Sequence, residues 1–210
     1  MVLDEKWRND VVECALNYTN YIWIPSNKNI FHGYDKDGIL VNTPDTTYSS
    51  EKFQCGWWLV KQENKGLPYN WGGNSNIEAF ELGIAEGKFA GNVPDSKDNG
   101  YSKYTVGLDC SGLLAICWNM PKKLSTKAIP TIASPLESTN ELLPGDILLK
   151  PGSHVMIFIN FTDSTKLYAV IVDSTRSTGK VSMRNICISE FLNYGYDGYR
   201  MNSTKNMKGY

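Results

Sequence analysis

Between Gly145 and Ile188 the chain repeats one pattern four times: a short, largely apolar run and then turn residues. The runs are Gly145 to Lys150, His154 to Asn160, Leu167 to Ser174 and Lys180 to Ile188. Runs of this length, bounded by Gly, Pro, Ser, Asp and Asn, predict strands joined as hairpins. Upstream of them, Asp109 to Met120 is a compact apolar segment opened by small polar residues, which predicts a helix. Helices followed by hairpin-linked strands indicate an α+β fold built on an antiparallel sheet.

The first half is less regular. Trp7, Val11, Val12, Ala15, Leu16 and Tyr18 recur at helical spacing, so Glu5 to Tyr21 reads as an amphipathic helix. Ser26 to Tyr48 is rich in Asn, Gly, Pro and Asp and reads as loop with one short hairpin. A second short helix is expected over Glu51 to Lys61 and a third over Ile77 to Lys88, within an otherwise irregular stretch from Gly66 to Leu108. Trp23, Trp57 and Trp58 read as core packing, with a saccharide or peptide subsite as the alternative. With 210 residues, no internal repeat and no low-complexity linker, one compact unit is the simplest organisation. Residues 1–65 then form a helical and loop region packed on a core of residues 66–210.

Composition excludes several classes. Twenty-one basic residues stand against 22 acidic ones, for a formal charge of −1, whereas nucleic-acid binders need an excess of Lys and Arg. The longest apolar runs, Leu113 to Trp118 and Leu167 to Val172, fall far short of the roughly 20 residues of a membrane helix. The amino terminus, Met1-Val2-Leu3-Asp4-Glu5-Lys6, does not read as a leader. Work inside the cell, a leader missing from this chain and another export route all stay open. Five scattered cysteines without Cys-x-x-Cys spacing support neither a disulfide framework nor a structural metal site. There are two histidines, so imidazole chemistry must use His32 or His154.

The predicted helix at Asp109-Cys110-Ser111-Gly112 puts Cys110 in the first turn with Asp109 near the cap. Backbone N–H groups and the positive dipole end there favour a thiolate, although most free cysteines are simply small buried apolar residues. Cys117, two turns on, reads as core. His154 opens a core strand, where an imidazole is held rigidly and suits a general base. His32 lies in a loop-like stretch and ranks lower. With a turn centred on Asp163-Ser164, Asp173 faces position 154 across the hairpin, where its carboxylate can accept the Nδ1 proton. A slip of one residue would bring Val172 or Ser174 there instead.

These residues resemble a known family. Gly107-Leu108-Asp109-Cys110-Ser111-Gly112 is similar to the nucleophile motif of NlpC-type cysteine peptidases, papain-like enzymes that cleave the peptide stems of bacterial cell walls. Leu143-Pro144-Gly145-Asp146-Ile147 and His154-Val155-Met156-Ile157 resemble that family's Pro-Gly-Asp and His-Val strands, and Pro68-Tyr69-Asn70-Trp71-Gly72-Gly73 its upstream Pro-Tyr-x-Trp-Gly-Gly segment. The resemblance implies a nucleophile helix packed on a small antiparallel sheet, with Cys110 as nucleophile, His154 as base and Asp173 as the third polar group, where the family more often has His, Asn or Gln. It implies substrate contacts at Tyr69, Trp71, Asp109, Ser111 and Ser153, no cofactor or metal, peptidoglycan stems or muropeptides as partners, and a place in the cell envelope or outside the cell. The 36 residues between Gly73 and Cys110 are more than the family pattern leads one to expect. Three other readings stay open: an amidase or acyltransferase on another acyl compound, an antibacterial toxin with the same chemistry, and a wall-binding module without catalysis.

Overall fold

The structure, a computed structural model, describes residues 5–49, 56–93 and 100–202. Its helices are α1 (Glu5–Asn20), α2 (Ile77–Glu86), α3 (Cys110–Cys117) and α4 (Ile188–Asn193). The main sheet holds β1 (Ala133–Pro135), β2 (Ile147–Lys150), β3 (His154–Phe161), β4 (Tyr168–Thr175), β5 (Lys180–Cys187) and β6 (Asp197–Met201). Their spatial order is β5-β4-β3-β2-β6-β1. β3 pairs antiparallel with β2 and β4, and β6 pairs antiparallel with β2 and β1. The fold is therefore α+β. Among the described residues no helix is long and apolar enough to cross a membrane.

Contacts divide the chain into two units, one of residues 1–17, 113–173 and 183–210, the other of residues 18–112 and 174–182. The divisions fall inside α1, α3, β4 and β5 rather than at residue 65. In the first unit β3 is buried on both faces, because Val155, Ile157 and Ile159 alternate with Met156 and Phe158 and all five are inaccessible. Two covered faces explain why this strand reads as a continuous apolar run. On one face Leu148, Met156, Phe158, Ile171, Ile186 and Ile188 cluster, and Phe191 and Tyr196 pack against them. Ile188, which the pattern assigns to the last strand, instead opens α4. A helix of six residues is too short for its period to show in sequence.

The turn Pro144-Gly145-Asp146 locks this unit together. The Asp146 carboxylate is fully buried and meets two guanidinium groups: Arg8 Nη1 of α1 at 3.0 Å and Arg200 Nη2 of β6 at 2.7 Å. Arg8 also donates to the Pro144 carbonyl at 2.8 Å, and the Leu143 N–H donates to Asp146 Oδ2 at 3.0 Å. The adjoining Gly145 has φ +85°, and its carbonyl accepts a bond of 3.0 Å from Trp118 Nε1. A carboxylate without solvent is tolerable only when its charge and lone pairs are answered in this way.

In the second unit Trp23 is the centre of an aromatic core. Its ring lies 5.2 Å from Phe80, 5.5 Å from Trp58 and 6.1 Å from Trp57, edge-on to each. Trp57 Nε1 donates to the Gly179 carbonyl at 2.8 Å. The helix expected over Glu51 to Lys61 is absent from residues 56–61, and residues 51–55 lie outside the described set. Here the Trp57 N–H goes to Pro44 and the Trp58 carbonyl to Thr46, so pairing with another segment overrides a weak helical pattern. α2 forms where expected, with Asn76 Oδ1 accepting from Ala79 N–H. It stops at Glu86 because Gly87, at φ +83°, takes the left-handed cap. The expected short hairpin is His32–Tyr34 against Leu40–Asn42.

Exchanging Asp146→Asn leaves two guanidinium groups, one of them nearly buried, without a counter-charge. Urea denaturation should show a loss of roughly 3–5 kcal/mol with an unchanged m-value. A midpoint within experimental error of the parent would contradict the clasp.

Candidate functional site

His154 is the first residue of β3, paired with Lys150 at the last position of β2. Its Nε2 lies 2.8 Å from Asp173 Oδ2 on β4. The partner is the one expected, but the register and the ring nitrogen are not. β4 pairs Val172 with Ile157, and a bulge lies between Val170 and Ile171. Continued by one residue, this register sets Asp173 opposite position 156, two residues from His154. Side chains alternate with period two, so a shift of two keeps both groups on one face and the bond forms diagonally. The carboxylate holds Nε2, not the Nδ1 that the hairpin count led one to expect.

Sequence reasoning missed the third member of this group. Arg184 on β5 grips the same carboxylate, with Nη2 2.6 Å from Oδ2 and Nε 3.2 Å from Oδ1. Asp173 is fully buried, whereas His154 and Arg184 keep 16% and 30% of their side-chain surface exposed. Burial works against the Asp173 charge, but the bonds and attraction of His154 and Arg184 prevail and hold its carboxyl below the ordinary range. The one signal in the sequence was a lone Arg in the strand following the Asp173 strand. Ser153, in the turn before β3, is exposed and donates its N–H to the Lys150 carbonyl.

In the second unit Asp109 caps the start of α3. Its Oδ1 accepts from Gly112 N–H at 2.7 Å and from Ser111 Oγ at 2.9 Å, and its Oδ2 accepts from Gly72 N–H at 3.1 Å. Cys110 is the first helical residue and is half-buried. Its N–H is among the donors that a helix leaves unused at its start. Small residues make the approach of the 72–73 loop possible: a Cβ at Gly112 would lie 2.1 Å from the Gly73 carbonyl oxygen. Tyr69, buried, bridges to Leu108, and Asn70 N–H donates to the Leu108 carbonyl at 2.9 Å. That carbonyl also accepts from Ser174 Oγ at 2.7 Å. The segment before the cysteine is thus tied both to the Tyr-Asn-Trp-Gly-Gly loop and to the residue after Asp173. Among the described residues Asn70 Oδ1 and Trp71 Nε1 are buried without a partner, a cost of about 1–3 kcal/mol each that marks this loop as unusual.

His32 does not lie in loose loop. It opens a hairpin strand and its Nε2 sits 3.0 Å from Asp45 Oδ2, with the carboxylate also taking Thr43 Oγ1 at 2.7 Å and the Thr47 hydroxyl. This second imidazole–carboxylate pair stacks on Tyr48. Cys117 is buried, and burial together with the Cys14 contact pushes its thiol up, so it stays protonated. A cavity of about 500 Å³ in the second unit is bordered by Phe31, Tyr34, Lys36, Phe89 and Tyr104, and none of the expected site residues lines it. Among the described residues no three His, Cys, Asp or Glu side chains are grouped to hold a metal ion. Comparison of the chain with protein-family models, with curated proteins and with solved structures gives no match.

Because the Asp173 carboxyl is held below its ordinary value, the stability it contributes is complete above about pH 4 and drains away as pH falls through the lowered value. Thermal denaturation should therefore show a steeper acid-side loss of Tm for the parent than for Asp173→Asn, which is the less stable protein at pH 7. Parallel pH profiles would contradict the ionised pair. Gly112→Ala should destabilise by about 1–3 kcal/mol through the clash with Gly73, measurable by urea denaturation; an unchanged midpoint would show that the loop can give way.

Proposed function

We propose that this chain is a cysteine amidohydrolase of the NlpC type, with a papain-like arrangement, that cleaves the peptide stems of bacterial peptidoglycan at a bond between γ-D-glutamate and a diamino acid. The observation that carries the reading is the imidazole of His154 held by a buried, charged carboxylate 2.8 Å away. A His–Asp pair of this kind is what a thiol nucleophile needs as its base. Cys110, at the start of a capped helix, is the thiol that suits it.

The reaction follows from these groups. His154 takes the Cys110 proton, and the sulfur attacks the scissile carbonyl carbon to form a C–S bond. The oxyanion is met by the Cys110 N–H at the helix start. As the C–N bond breaks, the imidazolium gives its proton to the leaving amine. Water, deprotonated by the same imidazole, then hydrolyses the thioester and returns the thiol. Asp173 keeps Nε2 protonated and stabilises the imidazolium without taking a proton itself. Tyr69, Trp71, Ser111 and Ser153 are the residues proposed to meet the stem. Asp109 is already engaged by three donors of its own chain, so its first duty is to fix the helix end.

Muropeptides incubated with the protein should yield cleaved stems by mass spectrometry. Cys110→Ala and His154→Gln should each lower the rate by at least about 10³-fold, while Cys117→Ala and His32→Gln stay within a factor of about three. Cleavage that survives in Cys110→Ala would overturn the nucleophile assignment. Turnover of a simple acyl amide without any attack on muropeptides would redirect the same chemistry to another acyl substrate.

A further inference from the structure

The Asp173 carboxylate is shared between two cationic partners on neighbouring strands, and this sharing has a chemical consequence for the ring. A buried carboxylate that faces an imidazole alone shifts the ring towards imidazolium, because the low-dielectric surroundings favour the ion pair over either charge by itself. An imidazolium cannot take a proton from a thiol. Arg184 changes that balance: guanidinium is charged at every accessible pH, and its fork matches a carboxylate edge.

We infer that Arg184 is a positioning residue for His154, which draws off part of the Asp173 charge through a two-pronged grip and so keeps the imidazole neutral at the pH where it must act as a base. The inference rests on the proposed function for its purpose, not for its geometry. Nη2 reaches the very oxygen that His154 Nε2 uses, at 2.6 Å, while Nε reaches the other at 3.2 Å. The fork thereby fixes the plane of the carboxylate, and with it the direction of the bond from the ring. Lys150, the partner of His154 on β2, sends its Nζ to the Tyr194 carbonyl at 2.7 Å. Tyr196, between α4 and β6, presents its ring edge-on at 6.3 Å. The groups around the ring thus include Asp173 from β4, Arg184 from β5, Lys150 from β2 and Tyr196. Of the two cations, Arg184 is the one bonded to the carboxylate that holds the ring. A salt bridge that only tied β4 to β5 would change stability and leave the ring's titration where it is.

The test is a titration of the histidine ring nitrogens by NMR on the full ¹⁵N-labelled chain, in the parent, Arg184→Gln and Arg184→Lys. With two histidines in the sequence, the His154 signals are those lost in His154→Gln. In Arg184→Gln the His154 midpoint should rise by about one pH unit or more, since the carboxylate then serves the imidazolium alone. Arg184→Lys, which keeps the charge but loses the fork, should move the midpoint less than Arg184→Gln does. A folded Arg184→Gln variant with the parent's midpoint would overturn the inference, as would a Lys variant that moves as far as the Gln variant. Should Arg184→Gln not fold, Arg184→Met takes its place: a rise of about one unit supports the role, and the parent's midpoint refutes it. The titration needs no substrate, so its failure leaves the proposed hydrolase standing. Absence of stem cleavage would sink the hydrolase and leave the titration result intact.

Discussion

A carboxylate cut off from water has to be neutralised by its own chain, and two such groups organise the first unit. Asp146 binds the amino-terminal helix and β6 to the turn before β2 through Arg8 and Arg200. Asp173 does the same across three neighbouring strands, but one of its partners is an imidazole. The first arrangement is purely structural. The second binds a titratable ring to a carboxylate that a guanidinium also grips. The physical rule is the same in both cases, and what differs is that one partner of Asp173 can gain or lose a proton.

The long regular elements were legible from residue patterns because their burial is simple. β3 is apolar throughout since both its faces are covered, and α1 shows its stripe because one side faces water. The elements that escaped are those whose stability comes from partners elsewhere. β1 spans three residues, α4 six, and β6 reads Asp-Gly-Tyr-Arg-Met, with no apolar run at all. Residues 56–61 failed in the opposite sense: clustered aromatics suggested a helix, but their backbone groups bind Pro44 and Thr46 instead.

The site was legible to the same degree and for the same reasons. Cys110 at a helix start, Asp109 as its cap and His154 at a strand start follow from local pattern. Asp173 was reached by counting across a hairpin. The hairpin turn lies later than that count assumed, which displaces the register by three; the β4 bulge takes back one, and the partner survived because the net displacement of two preserves the face. The choice of ring nitrogen could not be read, since it depends on the diagonal geometry this displacement creates. Arg184 and the His32–Asp45 pair were hidden for a different reason. Each depends on a charge brought from another strand or turn, and no short-range spacing announces it.

The proposed hydrolase requires that the imidazole of His154 activate the thiol of Cys110. Alkylation by iodoacetamide at pH 7, followed by peptide mass spectrometry, tests this without any assumption about substrate. The account predicts that Cys110 is the fastest-reacting cysteine of the parent and that its rate falls at least about tenfold in His154→Gln, while Cys187 reacts equally in both. Equal Cys110 rates in the two proteins would contradict it.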